Sequence, residues 1–446
     1  MAISRSRDRR AEKKVDHNSP DPADRPEQPR PMHRSGPRPL GLHLTLAMMR
    51  SGFSLAGLQS WKSGWPAWKT PQAAEMTEKL LQNLVAERLH HGRAAGKTEF
   101  SPLLEQAVWT ESFQRDAALI AGVAAYRRHP YYRHAPPRQV IWREGGSTVL
   151  LHPAPVSGHL PPVLLVPSLI NRGYVLDLAP GYSLMDRLAQ AGYRVFLLEW
   201  GGPGETEQHF GLTDYIAGRL DRAVQAIADL TDQAVVMAGY CMGGLLALAA
   251  SLRRPEAVRA LALLATPWDF HAAGPEHQRL SAALQPVLGG ILKQYGCLPV
   301  DILQIMFALI EPFAVADKYR AFGRLPQDHP RAGHFVALED WLNDGISLAA
   351  PVAQEVVNGW YCDNLPAQGG WKVAGHVVDP AALHCPAFVA VPSRDRIVPP
   401  ASALKLAQLI PGALLHRMEA GHIGMTAGRS AEAVLWQPLL RWLGTV

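Results

Sequence analysis

Ala234-Val235-Val236-Met237-Ala238-Gly239-Tyr240-Cys241-Met242-Gly243-Gly244-Leu245-Leu246-Ala247-Leu248-Ala249-Ala250 is the stretch on which the fold turns. The apolar run before Gly239 predicts a buried strand, and the Leu/Ala run after Gly244 predicts a helix. Only a sharp turn separates them. Glycines at 239 and 243 suit a turn so tight that neighbouring Cβ atoms have no room, with Cys241 at its apex. A helix N-terminus supplies free N–H groups and a dipole that favour a thiolate there. Taken alone, Gly-x-Cys-x-Gly-Gly reads equally well as a buried structural cysteine in a strand-to-helix turn.

The segments on either side fix the context. Val140-Ile141-Trp142 and Thr148-Val149-Leu150-Leu151 flank Gly145-Gly146 and predict a hairpin. Short β-rich runs then alternate with longer helical patterns, with strands expected at Val163–Val166, Arg194–Glu199, Ala234–Ala238, Ala260–Leu264, Phe388–Val391 and Leu414–Met418. That alternation implies an α/β protein, its mainly parallel sheet covered by helices on both faces. A hairpin leading into such a sheet suits the α/β-hydrolase fold. Between Trp268 and Pro380 the alternation lapses into helix and loop, including helical patterns at Val300–Phe313 and Trp341–Gly359. An inserted helical cap is expected there, at about 268–380, within a catalytic domain of 139–446.

Residues 1–40 are rich in Pro, Arg, Asp and Ser and read as a disordered tail. They hold ten Lys/Arg against six Asp/Glu, which accounts for +4 of the net charge of +5. The remainder is close to neutral, which argues against a nucleic-acid groove. Residues 41–138 read as a helical region. Its first segment, Leu40–Trp68, is too interrupted by Arg50, Gly52 and Lys62 to span a membrane. It reads as a helix packed on its own core, with an amphipathic helix on an apolar surface as the alternative. Helical patterns follow at Pro71–Ala95 and Pro102–Arg128. The four cysteines lack metal-ligand spacing and suggest neither a zinc site nor a disulfide framework. No cofactor is expected. The N-terminus has no signal-like apolar run, and a reduced, cytoplasmic setting fits.

The last two expected strands carry the chemistry that Cys241 needs. Asp395 follows Phe388–Val391 in Pro392-Ser393-Arg394-Asp395-Arg396-Ile397-Val398-Pro399, and His422 follows Leu414–Met418 in Glu419-Ala420-Gly421-His422-Ile423-Gly424. Among 18 histidines, His422 alone would be unremarkable, and Asp395 alone would read as a turn or cap residue. Nucleophile, acid, histidine, each after a strand, is the order of the hydrolase-fold triad. An oxyanion needs two donors. The Met242 N–H is the first, and the N–H of Leu169 or Ile170, in the loop after the first parallel strand, is the second. Sulfur also tilts the chemistry. A thiolate exchanges one thioester for another and keeps the acyl group activated for transfer to an alcohol, where a serine ester would dissipate that energy.

The sequence resembles the polyhydroxyalkanoate (poly-3-hydroxybutyrate) synthases from about Gln139 to the C-terminus. The likeness rests on Val166-Pro167-Ser168-Leu169-Ile170-Asn171-Arg172 with Tyr174 and Leu176-Asp177-Leu178, on Glu199-Trp200-Gly201 with Pro203, and on Leu212-Thr213-Asp214-Tyr215-Ile216. The Cys241 box, Asp395-Arg396-Ile397-Val398-Pro399 and Gly421-His422-Ile423-Gly424 complete it. The resemblance implies a cysteine acyltransferase taking 3-hydroxyacyl-CoA. His422 would deprotonate Cys241, and Asp395 would both bias His422 and help activate the 3-hydroxyl of the extending unit. Trp200 and Asp214 read better as a core residue and a helix cap. Implied partners are the growing polyester chain or granule surface and a second copy or second subunit, with no nucleic acid and no transmembrane segment. Two departures stand out: Glu199 replaces the usual Asp, and Ala265-Thr266-Pro267-Trp268-Asp269-Phe270 matches the usual start of the cap only loosely. A depolymerase or acyl thioesterase with the same triad is the enzymatic alternative, and a non-catalytic granule-surface protein is the other.

Overall fold

The computed structural model describes residues 34–62, 100–134, 137–153, 160–272 and 274–446, with isolated positions between 71 and 82. Most of the helix expected at Pro71–Ala95, and residues 1–33 of the expected tail, lie outside the described residues. The rest of that tail is packed. Arg34 is buried and gives Asp340 two hydrogen bonds, of 2.7 and 3.0 Å, so the ordered chain begins before residue 40. The cause is a partner distant in sequence, which composition cannot reveal.

Helices α1 (Leu40–Lys62) and α2 (Phe100–Arg128) follow, as their patterns predict. Strands β1 (Gln139–Glu144) and β2 (Ser147–Leu151) form the expected hairpin, with Gly145 at φ 55° in its turn. The remaining strands fall where they are expected: β3 (Val163–Val166), β4 (Val195–Glu199), β5 (Val235–Tyr240), β6 (Val258–Leu264), β7 (Ala387–Pro392) and β8 (Leu414–Met418). They make one eight-stranded sheet in the order β1-β2-β4-β3-β5-β6-β7-β8. The β1/β2 and β2/β4 pairs are antiparallel and the other pairs parallel.

Alternation along each strand builds two cores. Leu164 and Val166 of β3 face one side, with Leu198 and Met237, against helices α4 (Asp221–Thr231) and α5 (Met242–Arg253). Val163 and Leu165 face the other side, with Leu197 and Val236, against α3 (Leu184–Gln190) and the C-terminal Trp436 and Trp442. Because both faces are covered, these strands are buried from end to end, which is why they read as continuous apolar runs.

Between β6 and β7 lie α6 (Pro275–Tyr295), α7 (Val300–Ile310), α8 (Ala314–Gly323) and α9 (Pro330–Asn343). Gly122 lets α2 lie directly on α8, since a Cβ there would sit 2.0 Å from the Tyr319 carbonyl oxygen. The pattern at Trp341–Gly359 is not one helix. It breaks after Asn343, forms a two-residue strand at Leu348–Ala349 paired with Cys297–Leu298, and resumes at Ala350 as a short α-helix running into a π-helical segment, Glu355–Cys362. Gly345 allows the break by bridging to Asn171 on the other side of the site.

Candidate active site

The C-terminal ends of β5, β7 and β8 bring Cys241, Asp395 and His422 together. Cys241 stands between β5 and α5 at φ 57° and ψ −127°, a backbone conformation that costs a non-glycine residue about 1–3 kcal/mol. Its surroundings hold it there. The Cys241 N–H donates to the Leu264 carbonyl at 2.8 Å, and its own carbonyl accepts from the Gly244 N–H at 3.0 Å. A Cβ at Gly239 would lie 2.5 Å from the Gly244 Cα, and one at Gly243 would lie 2.2 Å from the Val166 carbonyl oxygen. The glycines predicted from the sequence are thus required by backbone contacts on both sides of the turn.

Asp395 and His422 ride on loops tied to each other by Ser393 N–H to Met418 O at 2.8 Å and Arg394 N–H to Ala420 O at 3.0 Å. The carboxylate is fully buried. Its Oδ1 accepts from the Ile397 and Val398 N–H groups, each at 2.8 Å, and its Oδ2 takes the His422 Nδ1 proton at 2.6 Å. That bond fixes the ring with Nε2 directed away from Asp395. Burial by itself would lower the pKa of His422. The charge on Cys241, hydrogen bonds to Asp395 and Cys241, and the Asp395 charge together outweigh it and raise the imidazole to about 10. The Tyr240 hydroxyl donates to the His422 carbonyl at 3.2 Å and braces the loop from below.

The third component is the loop after β3, and distant residues clamp it. Trp200 Nε1–H donates to the Pro167 carbonyl at 2.9 Å, and Trp341 Nε1–H to the Arg172 carbonyl at 2.8 Å. The Ile346 N–H donates to the Ile170 carbonyl at 2.8 Å, and the Glu199 Oε2 accepts from the Gly173 N–H at 2.9 Å. Burial pushes the Glu199 carboxyl above its ordinary range, against these hydrogen bonds and the Arg172 charge. Glu199 therefore serves as a clamp on the loop. Trp200 is a core residue, as expected, with its indole N–H as an added tie. Asp214 caps its helix from within the first turn, by reaching back to the residue before it. Its Oδ2 accepts from the Gly211 N–H at 2.8 Å, and it opens a π-helical segment, Asp214–Leu220. Of the two second-donor candidates, the Ile170 N–H is turned to the Ser168 hydroxyl at 3.2 Å.

Cys241 lines two cavities. One, about 190 Å3, is apolar and walled by the insertion, including Leu288, Leu303, Met306 and Trp360. The other, about 100 Å3, is lined by Ser168, Asn171, Arg172, Gln304, Trp341 and His422. Among the described residues no cluster of His, Cys, Asp or Glu could hold a metal ion.

A family model described as "alpha/beta hydrolase fold" matches residues 161–285, the segment that carries β3 to β6 and the Cys241 turn. The chain is 28% identical over 311 residues to the "Poly(3-hydroxyalkanoate) polymerase subunit PhaC" of Haloferax mediterranei, covering 69% of this chain and 63% of that protein. The protein of the same name from Haloarcula marismortui is 29% identical over 318 residues, with 69% and 67% covered. That from Synechocystis sp. is 27% identical over 320 residues, with 69% and 84% covered. The chain is thus similar over about two thirds of its length to poly(3-hydroxyalkanoate) polymerase subunits, and its residues 161–285 match the α/β-hydrolase fold. As a polyhydroxyalkanoate synthase relative it spans just under two thirds of the Haloferax protein's length. No helix among the described residues is long and apolar enough to cross a membrane.

Proposed function

We propose that this chain is a polyhydroxyalkanoate synthase that polymerises 3-hydroxyacyl-CoA through an acyl thioester on Cys241 and releases CoA. The observation that carries the reading is a cysteine held in strained geometry at a helix N-terminus, beside an imidazole that Asp395 orients. With its proton on His422, Cys241 Sγ attacks the thioester carbonyl carbon. The carbon–sulfur bond to CoA breaks, and the CoA sulfur leaves with the proton from His422 Nε2. The acyl group is then on Cys241 and His422 is neutral. The 3-hydroxyl of the next unit attacks that acyl thioester, its proton passes to His422, and an ester bond forms as the Cys241 thiolate is expelled.

The Met242 N–H and the Leu169 N–H are the proposed oxyanion donors, because the Ile170 N–H already donates to Ser168. Asp395 acts through His422 only. Both of its oxygens are engaged and its side chain has no exposed surface, so a substrate hydroxyl cannot reach it. This narrows the dual role implied by the resemblance. In this reading residues from about 268 to 380 are the cap over Cys241, and the cytoplasmic polymer granule, a second copy or a second subunit are the partners. Incubation of the purified protein with 3-hydroxybutyryl-CoA tests the function. CoA release with polymer is the expected result, and CoA release with only free hydroxy acid overturns it in favour of hydrolysis.

A further inference from the structure

The last turn of α9 is tied to two segments that lie far from it in sequence. One is residues 34–38, the chain just before α1. Arg34 donates to the Asp340 carboxylate at 2.7 and 3.0 Å and to the His129 carbonyl at 2.6 Å. The Arg38 N–H donates to Asn343 Oδ1 at 2.8 Å, its Nη1 to the Asn343 carbonyl at 3.4 Å, and its Nε to Asp301 Oδ1, at the start of α7, at 2.9 Å. Asp340 and Asn343 are three residues apart and share a helix face. Gly36 lies flat against Asn343, since a Cβ on it would sit 2.4 Å from Asn343 Nδ2.

The other segment is the loop after β3. Trp341 Nε1–H holds the Arg172 carbonyl at 2.8 Å, Gly345 bridges to Asn171, and the Ile346 N–H holds the Ile170 carbonyl at 2.8 Å. Between them the Leu342 carbonyl accepts from Gln304 Nε2 of α7 at 2.8 Å, so α7 and α9 are joined there by Gln304 and again by Arg38. Residues 340–346 thus link residues 34–38 to the loop that carries the proposed second oxyanion donor. Residues 34–38 themselves line neither cavity at Cys241, so any effect they have on the reaction passes through this link.

We infer that residues 34–38 are a strap that positions the oxyanion loop through the end of α9, with Arg38 as its positioning residue. The catalytic half of the inference rests on the synthase reading above. The mechanical half, that loosening the strap loosens the loop, does not. Arg38 and Asp301 are 34% and 49% exposed, so their pair contributes little to folding and its loss is read at the loop. Gly36→Ala reaches the same link by another route, because the added Cβ drives the Asn343 amide off the Arg38 N–H.

The test measures amide hydrogen exchange by mass spectrometry and CoA release from 3-hydroxybutyryl-CoA for the full chain, Arg38→Ala, Arg38→Lys and Gly36→Ala. Arg38→Ala and Gly36→Ala speed exchange in peptides spanning residues 168–173 and 345–347. They also lower kcat by about tenfold, part of the roughly 10²-fold that a 1 Å misplacement can cost, with KM nearly unchanged. Arg38→Lys, which keeps a cation opposite Asp301, recovers most of the kcat. Unchanged exchange at the loop in folded Arg38→Ala and Gly36→Ala overturns the strap, whatever the activity. Faster loop exchange with an unchanged kcat overturns its part in catalysis. No CoA release by the unaltered chain overturns the synthase reading and that catalytic part with it, while loop exchange still decides whether the strap holds the loop.

Discussion

Gly243→Ala is a small change with an effect that can be worked out from the backbone. The new Cβ would lie 2.2 Å from the Val166 carbonyl oxygen, 2.5 Å from that of Pro167 and 2.7 Å from the Pro167 carbonyl carbon. All three are main-chain atoms, so no side-chain rotation relieves the clash. Ordinary contact requires β3 and the start of its loop to retreat from α5 by about 1 Å. That loop carries Leu169, and α5 begins at Met242, so the two proposed oxyanion donors separate. A displacement of this size can cost about 10²-fold in rate, and overpacking destabilises by about 1–3 kcal/mol. The assay is CoA release from 3-hydroxybutyryl-CoA, with thermal unfolding as the check on folding. The expected signature is a fall in kcat far larger than any change in KM, in protein that still melts cooperatively. A folded Gly243→Ala protein with wild-type kcat would refute the claim that this contact sets the spacing of the donors. Gly244→Ala is the matched control, because its Cβ meets the Thr266 side chain instead of the loop.

Three further outcomes follow from the same geometry. Trp200→Phe leaves the buried Pro167 carbonyl without its donor and should destabilise the chain by about 1–3 kcal/mol on thermal unfolding, with kcat falling more than KM rises. Cys241→Ala removes the largest of the causes that raise His422, so its pKa, followed by NMR, should fall from about 10. The folded value exceeds the 6.5 of a free imidazole, so protonation of His422 favours folding; that contribution is complete below pH 6.5 and is lost as the pH rises through about 10. Arg34→Ala leaves the buried Asp340 carboxylate with the Tyr126 hydroxyl but without its paired cation, since the pair is only 3% and 5% exposed, and should cost about 3–5 kcal/mol in denaturant unfolding.

What the sequence discloses and what it withholds have separate physical causes. The central strands were legible because burial on both faces makes them unbroken apolar runs, bounded by proline, glycine or charge. Cys241 and Asp395 were legible because each follows such a strand, and His422, which follows the largely exposed edge strand β8, because it completes the triad order. The clamps on the loop after β3 were not. Trp341 and Ile346 reach it from the far end of the insertion, and a hydrogen bond between residues more than 150 positions apart leaves no periodic trace. The break after Asn343 was hidden for a related reason: the apolar residues beyond it pack in a short strand pair and a π-helical segment that keep a helix-like spacing. Arg34 sits in a segment whose composition signals disorder, and its burial depends on partners far along the chain, the Asp340 carboxylate on α9 and the His129 and Tyr131 carbonyls.

The central claim, that Cys241 carries the acyl chain, is tested most directly by intact-protein and peptide mass spectrometry after brief exposure to 3-hydroxybutyryl-CoA. The account predicts mass additions in whole 3-hydroxybutyryl units, mapped to the peptide containing Cys241 and absent from Cys241→Ser. Polymer formation with no adduct on Cys241, or an unchanged rate in Cys241→Ala, would contradict it.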